Sequence, residues 1–182
     1  MKNITILSFS PRNNGNCGKI MDILCEIYNR TNVSKYNVGN IRPCGNCSYE
    51  CLKPGMLCPN RTSDYLELMD TVCKSDLIYF VVPNFCGYPN AAYFAFNEKL
   101  TGYFNLDKDK RNHYLSIRKR FIVISNTETD QFRNAVQQQT KDDPEILYLH
   151  TRKYHCNSIN GDMMNSPDAR VDLLNFIASD LA

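Results

Sequence analysis

Four cysteines, Cys44, Cys47, Cys51 and Cys58, stand at the spacing C-x2-C-x3-C-x6-C among prolines and glycines (PCGNCSYECLKPGMLCP, residues 43–59). Thiolates so grouped can close around a four-iron cluster or a zinc ion, both of which accept an all-sulfur ligand set. No histidine lies within the stretch, so any metal site here is all-thiolate. The chain has nine cysteines, an odd number that argues against a fully paired disulfide set. In a reducing compartment clustered thiols bind metal, do redox chemistry or simply stay reduced. Cys44 and Cys47 are close enough in sequence for a transient redox pair. The spacing leaves a cluster, zinc and a metal-free loop all open.

Two other stretches could hold a ligand. SFSPRNNGNCGK (8–19) is not a Walker loop, because Asn13 and Ile20 stand where that motif needs Gly and Ser or Thr. Asn13 also occupies the first glycine position of a dinucleotide fingerprint. Even so, a Gly- and Asn-rich turn entering a helix presents free N–H groups and partial positive charge to an anion. Ser10 adds a hydroxyl and Arg12 a charged fork. The plain alternative is a capped turn with a surface arginine. The second stretch, VVPNFCGYPN (81–90), offers backbone N–H groups and flat apolar side chains to a ring, unless Phe85 and Tyr88 are merely rim residues of the core.

The elements that must position these loops follow from hydrophobic periodicity. Strands are expected at ITILSF (4–9), more weakly at SKYNVGNI (34–41), and at DLIYFVVP (76–83), RFIVISN (120–126) and EILYLH (145–150). Helices are expected over 16–30, with Ile20, Ile23, Leu24, Ile27 and Tyr28 on one face, and over 64–73, 90–100, 130–140 and 166–182. Strands alternating with helices imply right-handed crossovers and a parallel sheet covered on both faces. The expected fold is α/β, a flavodoxin-like doubly wound five-stranded parallel sheet of order 2-1-3-4-5, formed by residues 1–182 as one domain. Ligands of such sheets sit beyond the carboxyl ends of the strands, which singles out loops 9–18, 83–90 and 125–130.

Composition narrows the function. A chain of 182 residues with a formal charge of +2 is too balanced to argue for nucleic acid or an anionic membrane. No apolar run approaches the roughly 20 residues of a membrane span. The start, MKNITILSFSPR, reads as a buried strand rather than a cleaved leader, so a cytoplasmic protein is expected. KDKRNHYLSIRKR (108–120) carries six Lys and Arg against one Asp. Such a run could greet the phosphates of NADPH, but is more often a solvated surface. His113, His150 and His155 have no partner spacing and are assigned no catalytic role.

The loop S-P-R-x-x-G-N-x after the first strand resembles that of the NADPH-dependent FMN reductase and iron–sulfur flavoprotein group, flavodoxin-like oxidoreductases that read G-S-P-R-x-x-G-N-S/T. Ser10, Pro11, Arg12, Gly15 and Asn16 match, with Phe9 in place of the usual Gly and Cys17 in place of Ser or Thr. VVPNFCGYPNAAYFAFNEK is similar to the group's S-P-V-Y-F-G-S-x-S-A-x-L-K-x-F-x-D-R: Pro83, Gly87, Ala91 and Phe96 match, Phe85 replaces Tyr, and Phe94 stands where Lys is common. The likeness runs to about residue 126. It implies an FMN phosphate cradled by Ser10, Arg12, Gly15, Asn16, Cys17 and Gly18. The isoalloxazine would lie against Pro83, Asn84, Phe85, Cys86 and Gly87, with Asn126, Thr127 and Glu128 at its other edge. Beside a helix N-terminus and Arg12, the Cys17 thiol is expected to titrate low, unless it points into the core beneath the loop as a small apolar filler. Cys44, Cys47, Cys51 and Cys58 would hold the metal on the same carboxyl edge, although the group's compact motif has two residues between its second and third cysteines where Ser48, Tyr49 and Glu50 make three here.

The function so implied is an FMN-dependent NAD(P)H oxidoreductase with an unidentified acceptor, assembled as a homodimer or homotetramer. No side-chain acid or base is required, because hydride chemistry belongs to the flavin. The alternatives are a non-enzymatic electron carrier, with FMN alone or with a cluster, and a scaffold that has lost its flavin.

Overall fold

The computed structural model describes residues 2–29 and 31–181. Arg30 and Ala182, the last residues of two expected helices, lie outside them. In chain order the strands are β1 (Asn3–Ser8), β2 (Asn32–Asn37), β3 (Leu77–Phe85), β4 (Tyr88–Pro89), β5 (Arg118–Ser125) and β6 (Glu145–His150). Five are parallel in the order β2-β1-β3-β5-β6, which is the expected flavodoxin-like order, and the two-residue β4 folds back antiparallel on the end of β3. The helices are α1 (Asn16–Ile27), α2 (Ser63–Val72), α3 (Ala91–Phe104), α4 (Lys108–Ser116), α5 (Phe132–Val136) and α6 (Pro167–Leu181).

Alternation along the strands builds two cores. Ile4 and Ile6 of β1, with Leu77, Tyr79 and Val81 of β3, pack on Ile20 and Leu24 of α1 and Leu173 and Ile177 of α6. Leu7, Ile78, Phe80 and Val82 point the other way, onto Met69 of α2 and Tyr93 and Phe96 of α3. Both faces of β3 are therefore buried, which is why its sequence is continuously apolar rather than alternating. Each fully buried aliphatic or aromatic side chain contributes about 1.5–3 kcal/mol.

Three differences from expectation matter. β2 ends at Asn37, because the Asn37 side chain accepts from the Gly39 amide at 2.9 Å and turns the chain. Helix 130–140 is α-helical only over Phe132–Val136 and tightens into a 3-10 turn at Gln137–Gln139. The basic run 108–120 is divided. Its first part is α4, and its last three residues open β5 at the amino edge of the sheet, opposite the carboxyl edge. Arg118 pairs with Glu145 at 2.7 Å and Asp180 at 2.6 Å, and Arg120 pairs with Asp180 while lying 3.8 Å from the Phe176 ring centre. These arginines brace the α6 end rather than wait for a phosphate.

Candidate functional site

At the carboxyl edge, β1 runs into residues 9–15 and then α1. Phe9 is fully buried, stacked on Phe80 with ring centres 5.6 Å apart and planes 9° from parallel. Its bulk, where the resembled loop has glycine, is stored beneath the loop and leaves the upper side open. The N-cap of α1 is Gly15, so no side chain closes the helix end, and the first intrahelical donor is the Lys19 amide. The Asn16, Cys17 and Gly18 amides precede it and are the orphan donors of a helix start.

Ser10, Arg12, Asn16 and Cys17 line a cavity of about 720 Å³. Gly15 lies instead on the outer side of the loop beside Asn13 and Asn14. Gly18 is not in the lining either. A Cβ there would stand 1.8 Å from the Asn13 carbonyl oxygen, so this glycine lets the loop fold over the helix. The low-titrating Cys17 thiol is corrected: its side chain is 3 % exposed within the α1 core, and burial pushes its pKa up to about 12, with Arg12 opposing. At that depth desolvation outweighs the nearby cation.

The far wall of the cavity is Pro83, Asn84 and Phe85, with Asn126 opposite. Asn84 is 2 % exposed. Its amide N–H groups donate to the Ser125 hydroxyl at 2.8 Å and the Glu128 carbonyl at 2.9 Å, tying β3 to the third loop. Its Oδ1 is buried and has no hydrogen-bond partner among the described residues. Cys86 and Gly87, with φ of 50° and 90°, form the tight turn from β3 to β4 and do not reach the cavity. Thr127 and Glu128 are absent from the lining as well, and Glu128 contributes only its backbone carbonyl. Phe85, Tyr88 and Phe94 are exposed, while Tyr93 and Phe96 are core.

Gly39, Ser158 and Ile159 escaped the sequence reading, and Asn90 was not named as a site residue. Gly39 lines the cavity, and a Cβ there would lie 2.2 Å from the Ser10 carbonyl carbon. Asn90 caps α3 by accepting from the Tyr93 amide at 3.4 Å and donates to the Phe9 carbonyl at 2.6 Å. An Asn directly before a helix is a legible cap signal; its second bond is not. Ser158 and Ile159, from the coil after β6, cross the first loop as a strap. Arg12 donates to the Ile159 carbonyl at 3.0 Å and the Ser158 carbonyl at 3.2 Å, while Asn16 Oδ1 accepts from the Met163 amide at 3.0 Å. Nothing in the local sequence announces where that coil docks.

The cysteine loop lies elsewhere. Cys58 is buried against Gly102 of α3, and the Glu98 carboxylate accepts from the Cys44 amide at 2.9 Å. Glu98 and Gly102 are about 10 and 16 Å down α3 from Ala91, at 1.5 Å per residue. The expected position beside the flavin edge is therefore corrected: the loop packs on the flank of the sheet. Burial pushes the Cys44 and Cys51 thiols up, and Cys47 and Cys58 add to that rise at each of them. Among the described residues no group of three or more Cys, His, Asp or Glu converges as a metal-ligand set.

Among the described residues no helix is long and apolar enough to cross a membrane. No family model matches the chain, and no curated protein matches it in sequence. Solved structures do match in fold. A flavone reductase aligns over 98% of this chain with a TM-score of 0.57 and 14% identity; the match spans 64% of that longer chain. The Trp repressor binding protein from Bacillus subtilis aligns over 96% of this chain and 97% of its own, with a TM-score of 0.62 and 11% identity. A flavoenzyme NAD(P)H:(acceptor) oxidoreductase from Paracoccus denitrificans aligns over 98% and 96%, with a TM-score of 0.56 and 14% identity. Strand order, two-faced helix packing and these likenesses together give the chain the flavodoxin-like fold.

Proposed function

We propose that this chain is an FMN-binding oxidoreductase of the NADPH-dependent FMN reductase type, taking electrons from NAD(P)H and passing them to a small acceptor. One observation carries the reading. A single cavity joins an uncapped helix N-terminus with Ser10 and Arg12 at one end to an apolar wall with an unpartnered buried acceptor, Asn84 Oδ1, at the other. The first end suits a phosphate and the second a flat ring bearing an N–H donor. The cavity lies between β1 and β3, the switch point of this strand order, and its volume falls within the range of roughly 300–1,000 Å³ usual for small-molecule sites.

When bound, the flavin would supply hydride transfer. The chain's own residues hold and orient. Ser10 and the Asn16 and Cys17 amides fix the phosphate, and Arg12 neutralises it by exchanging carbonyl partners for the anion. Asn84 Oδ1 accepts the ring's N–H while its amide group holds the third loop. Exposed Tyr88 and Phe94, outside the cavity, and Phe85 of its wall give the nicotinamide or acceptor ring an apolar surface. The names of fold neighbours, a flavone reductase and an NAD(P)H:(acceptor) oxidoreductase, support the reading without specifying the acceptor.

The test is titration of the protein with FMN and riboflavin, followed by anaerobic addition of NADH or NADPH with a dye acceptor. Preferred FMN binding and steady dye reduction are expected. FMN binding without turnover points to an electron carrier, and no flavin binding overturns the proposal.

A further inference from the structure

A second cavity, of about 440 Å³, shares no lining residue with the first. It opens between the lower half of α3, α4 and the 3-10 turn after α5, with Leu52 of the cysteine loop at its edge. Its walls are apolar: Leu52, Leu100, Phe104, Leu106 and Leu115. Its floor is polar and fixed. Gln139, 3 % exposed, accepts from the Tyr114 hydroxyl and donates to Asn97 Oδ1 at 2.5 Å. An amide carries two N–H donors, and the second one of Gln139 has no acceptor among the described residues.

The rim is positive. Lys108 and Arg111 border the opening, are exposed, and form no ion pair among the described residues. The third charge there, Asp107, caps α4 by accepting from the Lys110 amide at 2.9 Å, so the mouth carries two cations against one carboxylate. The connection from α3 to α4 holds Asn105 and Leu106 in left-handed conformations, with φ of 46° and 69°, and leaves Leu106 51 % exposed at the mouth. Leucine rarely adopts that conformation, and such residues concentrate where a chain handles ligands.

We infer that this cavity is a separate binding site for an amphipathic monocarboxylate, its apolar body between Leu100, Phe104 and Leu115 and its carboxylate toward Lys108 and Arg111. An apolar body alone accounts for the walls but leaves the two cations at the mouth unused. A free phosphate would use the cations and leave the walls wet. The site does not depend on the flavin reading, because it rests on different residues.

The experiment is calorimetric titration of the full chain with decanoate, and with decanol as its uncharged twin. One saturable site per chain is expected, with decanol bound at least about tenfold more weakly, the equivalent of about 1.4 kcal/mol. Arg111→Gln should weaken decanoate about tenfold and leave decanol unchanged. Thr101→Trp, at an exposed position of the lining, should block both ligands while far-UV circular dichroism stays that of the parent. Leu100→Trp, which fills the cavity from its wall, provides a second block. Absence of saturable decanoate binding, equal affinity for decanol, or decanoate binding that survives Thr101→Trp in a folded protein each overturns the assignment.

Discussion

Arg12→Ala probes the phosphate end of the first cavity, and the structure sets the size of its effect. The guanidinium is exposed and already donates to two neutral carbonyls, those of Ile159 at 3.0 Å and Ser158 at 3.2 Å. An incoming phosphate therefore replaces bonds instead of meeting an unengaged cation. Those carbonyl bonds are already charge-assisted on the arginine side, so the phosphate adds only the step from one ionised partner to two. The exchange leaves about 1–2 kcal/mol, which is about 5- to 30-fold in Kd for FMN. Riboflavin has the ring without the phosphate, so its affinity should change by less than about twofold. Arg12→Lys keeps the charge but loses the fork, and its FMN affinity should fall between parent and Ala variant. Quenching of flavin fluorescence on titration measures all three proteins. Equal losses for FMN and riboflavin would mean that Arg12 acts by holding the strap rather than the phosphate. No loss for either would remove Arg12 from the site.

Three further outcomes are expected. With its thiol pushed up to about 12 by burial, Cys17 stays neutral from about pH 6 to 10, so Cys17→Ser should leave the pH profile of FMN affinity unchanged; divergent profiles across that range refute it. Lys119, 3 % exposed, has its pKa lowered by burial to about 7, against about 10.4 in an unfolded chain. Between those values the unfolded state binds the extra proton, so this residue makes stability rise with pH by roughly 1 kcal/mol per unit. In urea unfolding from pH 7.5 to 9.5, the gap between parent and Lys119→Met should drift by that amount, and a constant gap refutes the shift. Asn84→Leu removes the donors to Ser125 and Glu128, and should destabilise by about 1–3 kcal/mol and speed amide exchange in the third loop; unchanged exchange there shows that the loop is held by other contacts.

Much of this protein was decided by patterns that act over a few residues. The continuously apolar 77–82 stretch and the 3.6-residue spacing of Ile20 and Leu24 demand burial on particular faces, and with the alternation of strands and helices they lead to a two-faced parallel sheet, whose order is the one that doubly wound flavodoxin-like sheets adopt. The sheet's carboxyl edge follows, and with it Ser10, Arg12, Asn16, Pro83, Asn84, Phe85 and Asn126 around one cavity. What the sequence could not decide was settled by contacts distant in the chain. Cys17 looked like an activated thiol beside a helix start, but which way a side chain turns at the second residue of a helix depends on the strand beneath it. The basic run at 108–120 looked like one surface feature, but Asp180, sixty residues further on, draws Arg120 into the amino edge. The four cysteines have metal-like spacing, and where the loop docks was set by Gly102, which gives Cys58 a niche that its local sequence does not record. The strap of Ser158 and Ile159 reaches Arg12 across almost 150 residues through backbone carbonyls, which every residue carries and no motif can encode.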